Sequence, residues 1–467
     1  MPKPMKTASK KEKGVNTVSP KKTEKSLEGT VENVAKSKMK SYNLLRGFRD
    51  ILPEDQTYWD QVRDRARQLA EYYSFGSIEV PVLEEADLFT RGIGKNTDIV
   101  EKEMYVFEDP GGNKVGIRPE FTAGMVRAYI SHGMLNRPQP VKLFAMGPLL
   151  RHDRPQAGRY RQFYQCDFES IGSEEPIVDA QLMVIANAFF KDLGINVVMK
   201  VNSIGSPESR REYLVELTSY FRQFRKQFTD DDKRRLQKNP LRLLDSKEEY
   251  MPELLDSAPQ MIDWLDEKSK EHFMKVLEYL EEIQVPYRLD PYLVRGLDYY
   301  NRTVFEIVAE EEEGEKRHQI ALGGGGRFDG LVELLGGREG TPACGFALGL
   351  DRVVSLLKER QIELAPRFKG AVFFAQLGEA ARRIGLKLFE EFRAEKIPVV
   401  EAFGKGSLKA QLELASKQEV AYTLILGQKE VLDGTVIVRD MDAGTQETVP
   451  VEKVVAMVRR LLGRGDV

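Results

Sequence analysis

The chain has 467 residues, enough for roughly two to four domains that each bury a core. Its 70 Lys and Arg residues nearly balance its 73 Asp and Glu residues, so the net charge of −3 carries no overall signature of nucleic-acid binding. No apolar run approaches the roughly 18 residues that a membrane-spanning helix needs. Only Cys166 and Cys344 are present and no histidines stand in HExxH spacing, so we expect neither a disulfide framework nor a structural metal site, and a reducing compartment fits.

Residues 1–40 differ in composition from the rest of the chain. They contain many lysines, a few glutamates and hardly any large apolar residue. Such a segment cannot bury enough apolar surface to offset its ordering entropy, so we expect a disordered basic extension. A basic arm that contacts RNA phosphates, a solvated tail, and upstream sequence from a misplaced start codon all fit this composition. A secretory or mitochondrial targeting signal does not fit it.

The first predicted elements are a helix, an edge strand and a hairpin. Apolar residues recur at helical spacing over residues 59–73. Residues 78–82 are predicted as a strand, and Pro81 would place it at a sheet edge or a subunit seam because proline forbids one ladder bond. Two further predicted strands, 141–150 and 161–171, enclose a polar loop with Pro and Gly, which indicates an antiparallel hairpin with a mobile tip.

The pattern then changes twice toward the end of the chain. Charged amphipathic helices between about residues 207 and 286 indicate an inserted helical subdomain. Strands are predicted again from residues 295–308, and Pro366 marks a linker. Strands and helices alternate over the last hundred or so residues, which is typical of a compact α/β domain with a mostly parallel sheet.

The residues that point to chemistry are arginines beside carboxylates and aromatic side chains. No Ser/His/Asp arrangement, Walker loop or GxGxxG motif is present, and the glycines at 323–326 lack a following Lys-Ser or Lys-Thr, so a tight turn is favoured over a phosphate loop. Activation of a carboxylic acid by ATP needs positioning and fixed positive charge rather than a general base, because the attacking carboxylate is already ionised. The candidates for that charge are Arg151, Arg159, Arg295 and Arg352. Each of them alone is by default a surface ion-pair former, and only its sequence context favours a site.

Several segments follow one another in an order known from one protein family. They are residues 78–81, RPEFT at 118–122, FAMGPLLRHDRPQAGRYRQF ending at Phe163, RGLDYYNRTVFEI from Arg295, GGGGRFDGLVELLGG at 323–337 and GFALGLDR at 345–352. In this order they resemble motif 1, the first substrate loop, motif 2, the signature peptide, a Gly-rich stretch and motif 3 of histidyl-tRNA synthetases. That family belongs to the class II aminoacyl-tRNA synthetases, and the resemblance extends from near residue 41 to the end of the chain.

The resemblance implies an α+β fold and a domain plan. A class II catalytic domain with an antiparallel six-stranded sheet is expected over residues 41–365, with its helical insertion at about 207–286. An α/β anticodon-binding domain is expected over residues 366–467. The resemblance also implies a cytoplasmic homodimer formed through motif 1, without a membrane partner. The implied enzyme is a histidine–tRNA ligase, which activates L-histidine with ATP to histidyl-adenylate and transfers histidine to the 3′ end of its tRNA. Mg²⁺ would accompany the ATP, and no tightly bound cofactor or protein-held metal is implied.

Roles at the site follow residue by residue from the matched motifs. Arg151 would hold the α-phosphate and the histidine carboxylate, and Arg295 would contact the same reacting groups from the other side. The expected ATP contacts are Arg151, Asp153, Arg159, Phe163 and Arg352, with Phe163 stacked on adenine unless it is simply a core residue. Glu120 and Thr122 would bind the α-amino group, and Gln165 would also face the amino acid.

The choice of histidine is expected to depend on a carboxylate and a phenol. Imidazole carries a donor and an acceptor at fixed angles, and a buried polar site that satisfies both rejects apolar analogues by about 10⁴-fold or more. Glu169 and Tyr300 match the imidazole-binding positions of the family, and Tyr299 would close the pocket. Period-two alternation places Phe163, Gln165 and Glu169 on one strand face, together with Asp167. For Asp167 only a supporting role or an ion pair with an arginine suggests itself.

The chain departs from the family pattern at three positions. Asp153 and Asp351 stand where motif 2 and motif 3 usually carry Glu, and Phe121 stands where bacterial members often carry Gly. These changes shorten or crowd contacts without removing a charge, which bears on affinity more than on activity.

Other interpretations remain open from the sequence. The regulatory subunit of ATP phosphoribosyltransferase resembles the same catalytic domain but lacks the C-terminal domain and loses histidine-pocket residues. A prolyl- or threonyl-tRNA synthetase shares the anticodon domain, and RGLDYY argues against it. An RNA-binding module without chemistry disagrees with the intact arginines. In the C-terminal domain, Lys405, Lys409 and Arg439 fit either an RNA surface or a solvated face.

A chain without residues 1–40 is expected to exchange pyrophosphate into ATP at the rate of the full chain, because this segment has no core-forming residues. Histidine-dependent exchange of labelled pyrophosphate measures this, with thermal unfolding of both proteins as the control for folding. A large loss of exchange in a shortened chain that still folds would show that the segment is part of the catalytic structure.

Overall fold

The structure is a computed structural model, and it describes residues 42–155, 158–310, 321–362, 372–402, 407–418 and 420–463. The expected disordered extension, residues 1–40, lies outside the described residues. The chain divides into two units, Met1–Leu45 and Arg46–Val467, and all elements described below belong to the second unit. None of its described helices is long and apolar enough to cross a membrane.

A large sheet with helices on both faces forms the first part of this unit. Its helices are α1 (Gln56–Tyr72), α2 (Ala86–Ile93), α3 (Thr122–Ser131), α4 (Pro176–Asp192), α5 (Pro207–Arg222), α6 (Asp230–Lys238), α7 (Met251–Leu255), α8 (Glu267–Glu282), α9 (Leu331–Leu334) and α10 (Leu350–Glu359). Its strands are β1 (Gly76–Ser77), β2 (Leu83–Glu85), β3 (Val106–Glu108), β4 (Lys114–Ile117), β5 (Val141–Leu150), β6 (Gln162–Ile171), β7 (Val197–Ser203), β8 (Tyr287–Leu289), β9 (Asn301–Ala309), β10 (Ala321–Arg327) and β11 (Ala343–Gly349).

Eight of the described strands make the main sheet, in the order β1-β5-β6-β11-β10-β9-β7-β8. The six central strands pair antiparallel, and only the short outer strands β1 and β8 pair parallel to their neighbours. The expected antiparallel six-stranded sheet is therefore confirmed, with one short parallel strand added at each edge. Strands β2, β4 and β3 form a separate antiparallel sheet.

The sheet has a different hydrophobic core on each face. Helices α1, α4, α8 and α10 cover one face, where Trp59, Phe168 and Phe346 are among the buried residues. Helices α3 and α9 cover part of the other face, around Met125 and Phe328. The second core leaves room for a cavity, because polar residues replace apolar ones along the middle of that face.

The predicted edge strand was placed a few residues too far along the chain. Residues 78–82 are not a strand, and β1 ends at Ser77, where it pairs with β5. The backbone N–H of Ile78 adds one further bond to Phe144 before the chain leaves the sheet. Pro81 follows this point, so the ladder ends before the residue that could not extend it, and the expected edge position is correct.

The glycines at 323–326 do not form the expected tight turn. They lie inside strand β10, in the middle of the sheet between β9 and β11. Glycine weakens a strand and has low β-propensity, which is why the sequence favoured a turn. Tertiary contacts decide otherwise, because side chains and backbone of both neighbouring strands occupy the space that Cβ atoms on β10 would need.

The segment between β7 and β8 contains helices α5–α8, as the charged amphipathic pattern predicted. Helices α5, α6 and α7 share a core of their own, which includes Tyr213, Phe221 and Met251. Helix α8 differs, because its apolar stripe of Phe273 and Val276 packs against α4 in the core of the main sheet. The last helix of this segment therefore anchors the others to the sheet.

The C-terminal part has a smaller sheet with helices. Its strands are β12 (Val372–Gln376), β13 (Val399–Glu401), β14 (Tyr422–Leu426), β15 (Thr435–Asp440) and β16 (Gln446–Pro450), and its helices are α11 (Glu379–Ala394), α12 (Leu408–Lys417), α13 (Gln428–Asp433) and α14 (Val451–Leu461). The order is β13-β12-β14-β15-β16. Strands β12, β13 and β14 are parallel, but β15 and β16 are antiparallel. The prediction of a mostly parallel sheet is thus wrong for β15 and β16. These two strands form an antiparallel hairpin, where a parallel sheet would need a crossover helix between them.

A fully buried ion pair joins the main sheet to helix α4. The Arg327 guanidinium donates to Asp179, with an Nη2–Oδ2 distance of 2.5 Å, and neither side chain is more than 2% exposed. Asp329 pairs with the same guanidinium, and His272 Nε2 lies 3.4 Å from Asp179. Burial raises the pKa of Asp179, but Arg327 and His272 outweigh this, so the pKa lies below its ordinary value of 3.8.

Replacement Arg327→Met is expected to lower the free energy of unfolding by about 3–5 kcal/mol, because it leaves Asp179 buried without its main partner. Because the folded-state pKa of Asp179 is depressed in the wild type, its stabilising contribution is present above the ordinary pKa and is lost as the pH falls through the folded value. The difference in the free energy of unfolding between the variant and the wild type should therefore become smaller at acid pH.

Urea unfolding across pH measures the Arg327→Met effect. The matched control is Arg65→Met, since Arg65 pairs with Asp192 at 3.4 Å in a partly exposed position, where an ion pair contributes about 0–1 kcal/mol. Equal losses in the two variants would contradict a special contribution of the buried pair.

Candidate active site

One face of strand β6 supplies the centre of the site. Phe163, Gln165, Asp167 and Glu169 all line a single cavity. The intervening residues Cys166 and Phe168 lie in the core on the opposite face. The predicted period-two alternation is therefore confirmed, and it results from the pleat of a strand whose two faces meet different surroundings.

The cavity brings together every residue that the sequence singled out for catalysis or for binding histidine and ATP. It has a volume of about 330 Å³. Its lining includes Glu120, Thr122, Arg151, Asp153, Arg159, Phe163, Gln165, Glu169, Arg295, Tyr299, Tyr300 and Arg352. The first and last of these residues, Glu120 and Arg352, are 232 positions apart in the chain. Cavities of this size, lined by converging polar groups, are typical of small-molecule sites.

Glu169 lies deep in the cavity with one oxygen free of protein partners. Its Oε1 accepts a hydrogen bond of 2.7 Å from the Thr122 hydroxyl, and its Oε2 is buried without a hydrogen-bond partner among the described residues. Burial raises the pKa of Glu169 well above its ordinary value, and the nearby Asp167 adds to this. An unpartnered buried carboxyl oxygen costs free energy, so a ligand donor placed there would be strongly favoured.

Gly345 makes room for this carboxyl. It pairs with Glu169 across β11 and β6, and a Cβ at this position would lie 1.5 Å from Glu169 Oε2. Any side chain at residue 345 would therefore displace the carboxyl from its position. The sequence offered no sign of this contact, because it depends on strand register.

Two tyrosines stand beside the Glu169 carboxyl. The ring centroids of Tyr299 and Tyr300 are 4.6 Å apart, and both rings contact Phe328. Burial raises the pKa of Tyr300 to about 12, although Arg295 opposes this. Both phenols therefore keep their protons at neutral pH and can donate hydrogen bonds.

Glu120 joins the cavity to the first turn of helix α3. Its carboxylate accepts the backbone N–H groups of Thr122 at 2.7 Å and Ala123 at 3.0 Å. Burial raises the pKa of Glu120, and these hydrogen bonds lower it in part. The helix N-terminus thus holds the carboxylate in place through two otherwise unsatisfied donors.

Asp167 is the least explained acid of the site. Its Oδ1 is buried without a hydrogen-bond partner among the described residues. Burial and Glu120 raise its pKa well above the ordinary value, and Arg151 and Arg118 act in the opposite direction. Arg118 is mainly structural, since its guanidinium donates to the carbonyl oxygens of Val80 and Pro148.

Arg151 occupies the middle of the cavity. Its Nε donates to the Pro119 carbonyl at 2.8 Å, and its guanidinium carbon lies 5.4 Å from the centre of the Phe163 ring. Burial lowers the pKa of Arg151, and Glu103 and Glu120 oppose this. A guanidinium still remains charged under such conditions, so Arg151 presents fixed positive charge to the cavity.

Arg295 approaches the cavity from the segment before β9, and not from a strand as predicted. Its Nη1 donates to Glu306 at 3.3 Å, and its Nε is buried without a hydrogen-bond partner among the described residues. A Cβ on Gly324 would lie 2.7 Å from Arg295 Nη1. Gly324 of β10 therefore lies directly beneath this guanidinium, a role that the sequence motifs did not indicate.

The remaining two arginines of the proposed site, Arg159 and Arg352, both line the cavity and lie close enough for their charges to interact. Arg159 forms an ion pair with Asp153 at the base of the loop between β5 and β6. Arg352, in the first turn of α10, donates to the Ala321 carbonyl oxygen. Burial lowers the pKa of Arg352, and the positive charge of Arg159 is the next largest cause. This concentration of cations is suited to an anionic ligand such as a polyphosphate.

The departures from the family pattern have structural counterparts. Phe121 is 2% exposed, packs in the core beside the cavity and stacks under the Arg118 guanidinium at 4.6 Å. Asp351 accepts hydrogen bonds from Tyr164 N and Arg49, each at 2.6 Å.

Among the described residues, no cluster of three His, Cys, Asp or Glu side chains is placed to hold a metal ion.

Comparisons with known proteins agree with this geometry. The family model described as Histidyl-tRNA synthetase matches residues 47–209 and 210–353, and the one described as Anticodon binding domain matches residues 371–461. A curated histidine–tRNA ligase of Dehalococcoides mccartyi is 42% identical over 420 residues, which cover 90% of this chain and 99% of that protein. Another, from Desulfotalea psychrophila, is 43% identical over 403 residues, covering 86% and 92%.

A solved structure is similar over the same range. The crystal structure of apo Staphylococcus aureus histidyl-tRNA synthetase superposes with a TM-score of 0.75 at 33% identity, and the match covers 90% of this chain and 100% of that chain. The resemblance, the α+β fold and the ligase activity expected from the motifs are thereby confirmed. The chain belongs to the histidyl-tRNA synthetase family.

Proposed function

We propose that the cavity carries out both steps of histidine–tRNA ligation, with the twelve predicted residues as its working groups. In the first step the histidine carboxylate attacks the α-phosphorus of ATP, an O–P bond forms, and pyrophosphate leaves with the electrons of the broken P–O bond. In the second step a hydroxyl of the terminal tRNA ribose attacks the activated carbonyl, and AMP leaves. The observation that carries the assignment is the buried, unpartnered Glu169 Oε2 beside two tyrosines.

The imidazole ring would bind between Glu169 and Tyr300. Glu169 Oε2 lacks a protein donor, and an imidazole N–H supplies one. The neutral phenol of Tyr300 offers a donor for the other ring nitrogen, and Tyr299 packs against it to close the pocket. An apolar side chain of similar size would leave both groups unsatisfied, so the pocket selects by hydrogen bonding rather than by size.

The α-amino group would bind at the N-terminus of helix α3. Glu120 is held there by two backbone donors, and each carboxylate oxygen keeps a lone pair for an ammonium group. The Thr122 hydroxyl donates to Glu169 and is also hydrogen-bonded with Tyr299, so Thr122 links the proposed amino-group site to the proposed imidazole pocket. Gln165, on the same strand face, would complete the contacts to this end of the amino acid.

The reacting carboxylate and α-phosphate would lie between Arg151 and Arg295. Both guanidinium groups line the cavity, and the Nε of Arg295 has no hydrogen-bond partner among the described residues. Two fixed cations on opposite sides reduce the repulsion between two anions and stabilise the charge that develops on the phosphate oxygens. No general base is required, because the carboxylate is ionised before it reacts.

The rest of the ATP would occupy the other end of the cavity. Arg159 and Arg352 would hold the outer phosphates, and Phe163 would stack on the adenine, near Asp153. Mg²⁺ would enter as part of the substrate, coordinated by the phosphates, because the described residues contain no cluster placed to hold a metal ion by themselves.

The tRNA would contact both parts of the chain. Asp153 and Gly158, in the segment between β5 and β6, line the cavity, and residues 156–157 between them lie outside the described residues. The proposed anticodon domain spans residues 366–467, after a catalytic domain at 41–365 with its insertion at about 207–286. Lys409 and Arg439 are candidates for RNA phosphate contacts, and Lys405 lies outside the described residues.

A homodimer in the cytoplasm is the proposed working form. Four large apolar side chains on or next to the three-stranded sheet β2-β4-β3 are more than a third exposed: Val82, Leu83, Val106 and Phe107. An exposed apolar patch of this kind supports a protein interface near the motif 1 segment. The two free, buried cysteines are consistent with a reducing compartment.

Exchange of pyrophosphate into ATP is expected to depend on histidine when all twenty amino acids are tested separately. The physical reason is that only imidazole satisfies both the Glu169 carboxyl and the Tyr300 phenol. Stimulation by proline or threonine instead would assign the chain to another synthetase. Absence of exchange with every amino acid, in a folded protein that still binds histidine, would indicate a regulatory protein without chemistry.

Replacement Glu169→Ala is expected to raise the KM for histidine by about 100-fold or more, because the imidazole N–H would be buried without its acceptor. The KM for ATP should change little. Phe163→Ala is the matched counterpart and should raise the KM for ATP while sparing histidine. Steady-state exchange with each substrate varied in turn measures both. Equal effects of either variant on the two substrates would remove that residue from its assigned half of the cavity.

A further inference from the structure

Arg49 does not line the cavity, but it contacts two residues, Tyr160 and Asp351, that do. It belongs to the N-terminal segment (residues 46–50), which precedes helix α1 and has no role in the mechanism above. The Arg49 Nη2 donates to Asp351 Oδ1 at 2.6 Å, and its Nη1 donates to the Tyr160 hydroxyl at 3.2 Å. Its guanidinium carbon lies 4.1 Å from the centre of the Tyr160 ring and 5.5 Å from that of Trp59.

Asp351 extends this contact to strand β6. Its second oxygen, Oδ2, accepts the backbone N–H of Tyr164 at 2.6 Å. Strand β11 ends at Gly349, whose partner on β6 is Gln165, so Tyr164 lies just beyond the paired region. The Asp351 carboxylate thus replaces a strand partner where the ladder ends, and Arg49 holds the other oxygen of the same carboxylate.

Each partner in this arrangement is the chain neighbour of a proposed site residue. Tyr160 follows Arg159, Tyr164 follows Phe163, and Asp351 precedes Arg352. Arg159, Phe163 and Arg352 are the groups assigned to the nucleotide. The arrangement does not reach the residues assigned to imidazole, Glu169 and Tyr300, whose described hydrogen bonds and ring contacts involve other parts of the chain.

The N-terminal segment also contacts the loop that carries Arg159. The carbonyl oxygen of Gly47 accepts the backbone N–H of Arg161 at 2.8 Å. Gly47 has a φ of +87°, and a Cβ there would lie 2.9 Å from side-chain atoms of both Arg161 and Pro155. The segment therefore lies against Pro155 within the loop between β5 and β6 and against Arg161 at its end, in a conformation that favours glycine.

We propose that Arg49 is a positioning residue for the nucleotide half of the cavity. Its guanidinium group binds Tyr160 at the end of the motif 2 loop and Asp351 in the first turn of the motif 3 helix, and Asp351 in turn binds strand β6. It thereby sets the phosphate-binding arginines and the adenine-binding ring at a fixed spacing. Asp351, which is shorter than the Glu usual in motif 3, reaches both the strand and Arg49. This inference rests on the proposed assignment of Arg159, Phe163 and Arg352 to ATP.

The test is steady-state pyrophosphate exchange by the full chain with Arg49→Met, which keeps an unbranched apolar stem against Trp59 but removes the donors. The expected result is a fall in kcat/KM for ATP of about tenfold or more, as for the loss of a hydrogen bond to a charged group. The KM for histidine should stay within about twofold, a difference too small to count as a lost contact. Arg49→Lys, which keeps a donor and the charge, should recover part of the loss.

Arg63→Met is the matched control. Arg63 lies 4.9 Å from the centre of the Trp59 ring and 5.4 Å from that of Tyr164, so it shares these aromatic neighbours, but its nearest polar partners are Gln56 and Asp60. This variant should exchange as the wild type does. The losses in the double variant Arg49→Met/Asp351→Asn should be less than additive, because the two residues share one contact while Arg49 also binds Tyr160.

Several outcomes would overturn the positioning role. They are an unchanged kcat/KM for ATP in Arg49→Met, equal losses for both substrates with a lowered unfolding temperature, or fully additive losses in the double variant. If Arg49→Met does not fold, Arg49→Lys and Asp351→Asn decide by the same split between substrates. Phe163→Ala, measured in parallel, distinguishes failure of the ATP-site assignment from failure of the positioning role. If it leaves the KM for ATP unchanged, the site assignment fails, whereas a raised KM with a normal Arg49→Met rejects the positioning role alone.

Discussion

The cavity depends on the close approach of ionisable side chains to glycine positions in two central strands. Arg295 lies on Gly324 of β10 and Glu169 lies on Gly345 of β11, at distances that leave no room for a Cβ. Guanidinium and carboxyl groups could not otherwise sit directly on the face of a central sheet. The loss of strand propensity at these glycines is offset by pairing with both neighbouring strands.

The same arrangement explains how opposite charges coexist in one buried space. Glu120 and Glu169 are assigned to the amino acid, and burial raises the pKa values of both. Arg159 and Arg352 are assigned to the outer phosphates, and Arg352 is close to the charges of Arg159, Arg151 and Arg295, with the acid Glu306 opposing them. Without ligands each group of like charges is unfavourable, and a zwitterion beside a polyphosphate complements both. Affinity for the two substrates together therefore follows from the charge distribution.

Supports outside the cavity determine how accurately these charges are placed. The Arg327–Asp179 pair fastens β10 to α4 on the far side of the sheet, and Arg49 fastens the loop, β6 and α10 at one end. Both use a guanidinium to join elements that are distant in the chain, because its planar donors can bind several acceptors at once. A displacement of about 1 Å in such groups is enough to impair catalysis.

The sequence by itself determined the family, the order of the elements and the identity of the cavity residues, because short motifs carry local geometry. Alternation of side chains along β6 is one such local rule, and it is sufficient to put Phe163, Gln165 and Glu169 on the same face. Only the tertiary structure decided that the glycines at 323–326 form a central strand, that half of the C-terminal sheet is antiparallel, and that Arg49 reaches Asp351. These features depend on strand register and on contacts between segments some 300 residues apart. No local pattern encodes such contacts, since a glycine that fits beneath a guanidinium looks the same in sequence as a glycine in a turn.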